Sequence, residues 1–390
     1  MRQDFYTFVT AKHFNMNIPM LDLKGQYKRI KNEIDTAIHN VLDNTNFING
    51  PDVHRFESNL ANYLDSRYVI ACANGTDALQ IAMMALKLQP GDEVIVPSFT
   101  YAATAEVVGL LGLVPVMVDV DSFSFNIKVE DIESAISERT KAIVPVHLFG
   151  QAADMERIME IAARYNLFVI EDNAQALGAK YTFRDSTVKH LGTIGHIGCT
   201  SFFPTKNLGC YGDGGAIFTQ DPALAERVRM VTDHGQRIKY YHDIIGCNSR
   251  LDTLQAAVLD IKLKYLDEYS ASRYRAAQIY KELLEGINEI ILPQEMSYST
   301  HVYHQFTIQV SERREELREH LANKGISSMI YYPMSLNNQK AFSSISRIES
   351  SLKNSEMLAS TVISLPMHTE LTPHVQKIIC EEIKFFFSEN

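Results

Sequence analysis

The sequence is poor in the features that mark secreted, membrane-spanning or metal-binding chains. Its five cysteines, Cys72, Cys199, Cys210, Cys247 and Cys380, include no C-x-x-C pair. Their odd number argues against a disulfide framework and fits a reduced, cytoplasmic compartment. The thirteen histidines contain no H-E-x-x-H or comparable spacing, so no metal is expected. The longest apolar stretch, Gly109 to Val118, holds a proline and is far too short to span a bilayer, so no membrane insertion is expected. Basic residues are outnumbered, 37 against 47, giving a net charge of −10. That balance speaks against nucleic acid as a partner but leaves room for a small anion in a locally positive pocket. The first sixteen residues lack the apolar h-region of a signal peptide. Residues 1–17 read as a disordered extension, with Met16 an alternative start.

What is present is a 390-residue chain, 46% hydrophobic and 22% charged. That is ordinary for a globular protein and too long for a single core to keep growing, so one large and one smaller domain are expected. From residue 69 to about 220, short β-branched runs alternate with helical patterns. Val69–Cys72, Glu93–Val96, Val114–Val118, Ala142–Val146 and Phe168–Ile170 read as strands. Ala78–Leu88, Ala102–Leu111, Val129–Ser137 and Met155–Tyr165 read as helices. The alternation implies βαβ crossovers and an α/β fold with a mostly parallel central sheet. Long helical patterns (254–259, 269–284), an apolar-alternating stretch His301–Val310, a charged helix (313–323), a short strand and a terminal helix (373–387) follow. These describe a smaller C-terminal α+β domain over 266–390, after a large domain over 18–265. No internal repeat or low-complexity segment is present.

In sheets of this kind, ligands collect beyond the carboxyl ends of the strands. Asn74-Gly75-Thr76-Asp77 follows one strand and opens a helix, a ready anion site with Gly75 allowing close approach. In isolation it also reads as a plain N-cap by Thr76 or Asp77. Tyr101, after the next strand, is placed to stack on a planar ring or to pack on its own helix. Leu167-Phe-Val-Ile170 leads into Glu171-Asp172-Asn-Ala-Gln175, as a buried strand ending in a carboxylate would. Cys199-Thr-Ser-Phe-Phe203 then delivers Ser201 and, past Pro204, Lys206. A lysine to condense with an aldehyde, an aspartate to keep a ring nitrogen protonated and a serine for phosphate describe a pyridoxal phosphate site. Either charged residue alone reads more readily as a surface lysine or a capping aspartate. Phe202, Phe203 and Pro204 are expected to desolvate Lys206 and lower its pKa from roughly 10.4. Gly209–Phe218 reads as a tight glycine-rich loop and lacks the G-x-G-x-x-G spacing of a dinucleotide site. Asn248 and Arg250 lie in a polar island, suited to phosphate and to a carboxylate or diphosphate, or equally to capping and a surface ion pair. Tyr331 and Tyr332 follow a strand and are candidates to frame a cleft.

Taken in order, these segments resemble the DegT/DnrJ/EryC1/StrS family of PLP-dependent nucleotide-sugar aminotransferases. The resemblance rests on A-N-G-T-D-A-L (73–79), P-S-F-T-Y-A-A-T-A-E (97–106), V-I-E-D-N-A-Q-A-L-G-A (169–179), S-F-F-P-T-K-N-L-G (201–209), G-D-G-G-A (212–216) and N-S-R-L-D (248–252). It runs from about Ile18 to the C-terminus. It implies the type I aminotransferase fold and a cytoplasmic homodimer with shared active sites. By resemblance Lys206 carries the Schiff base, Asp172 faces the pyridine nitrogen and Gln175 contacts the ring oxygen. Gly75, Thr76 and Ser201 hold the phosphate, and Tyr101 stacks on the ring. Asn248 and Arg250 come from the neighbouring subunit, and Tyr331 and Tyr332 line the sugar-nucleotide pocket. The implied reaction moves an amino group from glutamate to a keto-sugar nucleotide, for amino-sugar and surface-polysaccharide biosynthesis such as lipopolysaccharide O-antigen. The nearest subgroup acts on UDP-2-acetamido-3-oxo-glucuronate. Tyr331 stands where that subgroup is expected to carry His, and the stretch 182–197 is longer, beside the expected substrate mouth. The alternatives are a 4-oxo sugar nucleotide aminotransferase, a PLP-dependent sugar dehydratase of related fold, and a non-catalytic sensor or regulator.

Overall fold

The computed structural model describes residues 17–388; the N-terminal extension expected over 1–17 lies, save for Asn17, outside the described residues. The central sheet contains Tyr68–Cys72 (β1), Glu93–Pro97 (β2), Val114–Val118 (β3), Thr140–Ile143 (β4), Phe168–Asp172 (β5), Ile197–Ser201 (β6), Gly215–Thr219 (β7) and Arg347–Ile348 (β8). Their order is β1-β7-β6-β5-β4-β2-β3-β8. Every pairing is parallel except the two made by β7. Two antiparallel steps restore direction, so β1 ends on the same edge as β2, β5 and β6.

The strands are apolar without alternation because both faces are covered. Val94 and Val96 join one buried cluster with helix Gly75–Ala85, while Ile95 between them joins another with helix Met155–Tyr165. Gly209–Phe218 reads as loop from the sequence, yet its last four residues belong to β7. The glycines there serve approach rather than a turn. A Cβ on Gly215 would lie 2.4 Å from the Asn74 carbonyl oxygen, so only glycine lets this strand pass against the start of the neighbouring helix.

A second, three-stranded antiparallel sheet is built from Ile290–Ile291, Phe306–Val310 and Val362–Leu365, in that order. Its core is shared with helices Leu266–Leu284, Arg314–Asn323 and Pro373–Ser388. Leu336, Phe342 and Leu352, late in the chain, pack instead into the core of the large sheet. Ile18 bridges to Ile326 and packs with the second sheet. No helix among the described residues is long and apolar enough to cross a membrane.

Candidate active site

The ends of β1, β2, β5 and β6 converge on one edge of the sheet, and the predicted residues follow those ends. Asp172 closes β5 and is 6% exposed. Its two oxygens have separate partners. Thr104, on helix Ala103–Leu110 after β2, donates its hydroxyl to Oδ2 at 2.9 Å, and the Ala174 N–H donates to Oδ1 at 3.2 Å. Burial pushes the Asp172 pKa up, while these two donors and the charges of Lys206 and His147 pull it back.

Glu171, one residue earlier, points to the opposite face as strand alternation requires. It is fully buried and saturated, accepting the N–H groups of Gly192, Ile194 and Gly195 at 2.6–2.8 Å and lying 2.8 Å from His147 Nε2. Glu171 braces a loop. Asp172, on the other face, has only its two neutral donors among the described residues.

Lys206 lies in a loop closed at its base, where the Cys210 N–H donates to the Phe202 carbonyl at 2.8 Å and the Phe202 N–H to the Gly214 carbonyl at 2.7 Å. Asn207 Nδ2 ties the loop to the Val302 carbonyl and Lys262 Nζ ties it to the Gly209 carbonyl. Burial brings the Lys206 pKa down to about 8, with Asp172 opposing the fall. Of the aromatics expected to desolvate it, Phe202 is buried but Phe203 is exposed.

The helix after β1 begins at Gly75, and its cap is Asn74, whose side chain accepts the Asp77 N–H at 2.8 Å. Neither Thr76 nor Asp77 is the cap. The N–H groups of Gly75 and Thr76 therefore precede the first helical bond, with no helical partner of their own. Ser201 is packed directly against this end: a Cβ on Gly75 would come within 2.6 Å of Ser201 Cβ and 3.2 Å of its Oγ. Asp77 accepts from Ser249 Oγ at 2.6 Å, and Ser249 Oγ accepts the Ala73 N–H at 3.0 Å. This linkage fixes the turn carrying Asn248 and Arg250, whose own side chains make no hydrogen bond or ion pair among the described residues.

Gln175 accepts the Phe149 N–H at 2.9 Å and donates one amide hydrogen to the Tyr332 hydroxyl at 3.1 Å. Its other amide hydrogen is uncommitted. Tyr332 sits between Phe99 and Tyr101, each with ring centroids 6.1 Å away, and beside Tyr331 at 6.0 Å. Tyr101 itself is 59% exposed. Tyr332 is thus joined to Gln175 and Tyr101, a proximity the sequence reading did not foresee. The longer stretch 182–197 forms a hairpin of Lys180–Thr182 with Val188–His190. Its contacts run to Glu156, Tyr298 and Thr300 rather than to any predicted site residue.

Residues 28–384 match the DegT/DnrJ/EryC1/StrS aminotransferase family. The chain belongs to this family. It is a pyridoxal-phosphate-dependent aminotransferase. It is 46% identical over 363 residues to the UDP-2-acetamido-2-deoxy-3-oxo-D-glucuronate aminotransferase of Pseudomonas aeruginosa, covering 93% of this chain and 98% of that one. It is 45% identical over 374 residues to a "pleiotropic regulatory protein" of Geobacillus stearothermophilus, with 95% and 99% covered. Among solved structures, Streptomyces venezuelae DesV in complex with a ketimine intermediate is similar at a TM-score of 0.91 and 40% identity, with 95% and 98% covered. The residues at the strand ends fit the cofactor. Asp172 is a buried carboxylate with no ion-pair partner among the described residues, suited to a cationic ring nitrogen, and the Gly75–Ser201 junction offers N–H and hydroxyl donors suited to a phosphate.

Proposed function

We propose that this protein transfers an amino group from glutamate to the keto group of a nucleotide-linked 3-oxo sugar, in the cytoplasm, as a homodimer that serves surface-polysaccharide biosynthesis. The observation that carries the reading is the pairing of a buried, doubly hydrogen-bonded Asp172 with a Lys206 whose amine is poised near neutrality. Bound pyridoxal phosphate supplies an electron sink for the electron pair left when a proton leaves the amine-bearing carbon.

In this reading Lys206 is the covalent anchor. Once released, with a pKa of about 8, it moves the proton between substrate and cofactor carbons as base and then acid. Asp172, held by Thr104 and Ala174, keeps the ring nitrogen protonated. Gln175 turns its uncommitted amide hydrogen to the ring oxygen, and Tyr101 covers the ring face. Gly75, Thr76 and Ser201 hold the phosphate. Tyr332, a phenol kept protonated by burial, and Tyr331 line the sugar side.

Asn248 and Arg250 are assigned to the partner subunit's site. Support comes from the hairpin of Gln236–Ile238 with Tyr241–His242 that leads into them, which exposes Ile238, Tyr240, Tyr241 and Ile245 to between 65% and 85%. A folded monomer seldom leaves so much contiguous apolar surface in water. Sedimentation as a monomer at micromolar concentration would remove this assignment. Division near residue 265 into a large cofactor-binding unit and a small C-terminal unit is part of the same proposal. The second sheet's separate core supports it, and the return of Leu336–Leu352 to the first core cuts across it.

A panel of 3-oxo and 4-oxo sugar nucleotides, each offered with glutamate, tests the substrate. Release of 2-oxoglutarate is expected with a 3-oxo acceptor. The visible absorbance of the bound cofactor should disappear in Lys206→Ala. The Geobacillus relative's name favours a second reading, a regulator that binds the cofactor without turnover. Cofactor absorbance with no 2-oxoglutarate release across the panel would favour that reading.

A further inference from the structure

Tyr331 and Tyr332 lie on a segment that crosses from one sheet to the other. At its start the Met329 N–H donates to the Ser364 carbonyl of the second sheet at 3.1 Å, and the Ser364 N–H donates back at 2.7 Å. At its far end the segment meets Ser98, the first residue after β2, which is fully buried. Ser98 holds it twice. Its carbonyl accepts the Leu336 N–H at 2.8 Å, and its hydroxyl donates to Asn337 Oδ1 at 2.8 Å. The Ser98 N–H donates to the Val118 carbonyl of β3 at 2.9 Å, so this joint is built on the large sheet itself.

The Asn337 amide has one orientation. Its nitrogen faces the Asn338 side-chain oxygen at 3.3 Å and the Glu356 carboxylate at 3.5 Å. Turned over, its oxygen would meet that carboxylate, acceptor against acceptor. The oxygen is therefore the atom left for the Ser98 hydroxyl. Glu356 is itself fixed, since its helix, Lys353–Thr361, is fastened to Asp119 beyond β3 through the N–H groups of Asn354 and Ser355 at 3.0 and 2.8 Å. Asn337 thus spans two anchored points, one after β2 and one after β3.

The consequence for the site comes through the neighbours of Ser98. Phe99 and Tyr101, one and three residues on, stand beside the Tyr332 ring with centroids 6.1 Å away, and Gln175 holds the Tyr332 hydroxyl at 3.1 Å. The gap between Tyr101 and the two tyrosines opposite is therefore held from both ends, by Gln175 at one and by the Ser98–Asn337 bond at the other.

We propose that Asn337 is a positioning residue for the keto-sugar nucleotide: through Ser98 it sets how far Tyr331 and Tyr332 stand from Tyr101, and so the fit of the sugar that receives the amino group. The proposal rests on the reading above, in which these tyrosines line the sugar side.

The test measures kcat/KM for glutamate and for the 3-oxo sugar nucleotide of highest activity in the panel. The two react in separate half-reactions, so each kcat/KM reports its own half alone. Asn337→Leu leaves the Ser98 hydroxyl without its partner. It should lower kcat/KM for the sugar nucleotide about fivefold, the equivalent of one neutral hydrogen bond, while that for glutamate and the pyridoxal phosphate affinity stay within about twofold of wild type. Asn337→Asp keeps an oxygen for Ser98 but sets a second carboxylate against Glu356, and alone it should also lose. Combined with Glu356→Gln it restores a donor and an acceptor at each contact and should recover the wild-type value. A purely structural role would lower kcat/KM for both substrates together. Equal losses for the two substrates, or no loss for the sugar nucleotide, overturn the proposal. If Asn337→Leu does not fold, Ser98→Ala, which removes only the donor, carries the same comparison with the same outcomes. Failure of the underlying reading looks different: no member of the panel would then release 2-oxoglutarate from the wild type, and the proposal falls with it.

Discussion

Replacing Thr104 by valine keeps the shape of the side chain and removes one donor from the Asp172 carboxylate. A hydrogen bond to a charged group contributes about 1.5–3 kcal/mol, and losing it raises the Asp172 pKa further. Burial already holds that pKa above the 3.8 of a free aspartate. Between 3.8 and the raised value the unfolded chain releases its proton first, so wild-type stability falls as pH rises through this window and then levels off. The valine variant extends the window upward. Its apoprotein should therefore be less stable than wild type by about 1.5–3 kcal/mol at pH 8. At acid pH, below the raised value, the folded carboxyl is protonated and the gap should shrink towards the roughly 0.5–1.5 kcal/mol of a neutral hydrogen bond. Urea denaturation at both pH values, at one fixed protein concentration, measures the difference. An equal loss at both would mean that Thr104 only fills space and that its bond to Asp172 does not bear on the carboxylate charge.

Cofactor uptake by the apoprotein should accelerate with pH and level off above about 8, because only neutral Lys206 is a nucleophile; stopped-flow absorbance follows it, and a pH-independent rate would contradict the assignment. Gly75→Ala puts a Cβ 2.6 Å from Ser201 Cβ and should weaken pyridoxal phosphate binding at least about tenfold in a fluorescence titration, with Ser201→Gly partly relieving the strain. Glu171→Gln replaces one of the two accepting oxygens by an amide donor, which then faces either the Gly192 N–H or those of Ile194 and Gly195. It should destabilise the fold by about 2–4 kcal/mol by denaturant titration, while the midpoint of the cofactor-uptake pH profile stays in place.

Much of this site is readable from the chain because a sheet covered on both faces writes its strands as continuous apolar runs. The proposed site residues follow where the runs stop, at Asn74, Asp172 and Ser201. What escaped reading depended on partners distant in sequence. Thr104 is one more small residue in a helix until Asp172 is placed opposite it. The choice between Glu171 and Asp172 is made by strand alternation together with the loop at 192–195, which no local pattern announces. Glycines hid strand β7, since the reason for Gly215 lies at Asn74. The alternating stretch His301–Val310 joins the second sheet only from Phe306, because Tyr303 adopts a positive φ of 43° and the carbonyls of Tyr303 and His304 turn to Arg273. Helices Leu23–Arg29, Lys31–Asn44 and Pro51–Leu64 went unread, though Asp22 as a cap and Pro51 at a first turn were available signals.

The back-to-back carboxylates of β5 divide labour by parity. Slipping that strand by a single position would hand the reactive pocket to the longer acid and leave the 192–195 amides with no anion to hold. Length changes in this stretch should therefore be far less forgiving than substitutions, and a library built here would do better to vary side chains than spacing.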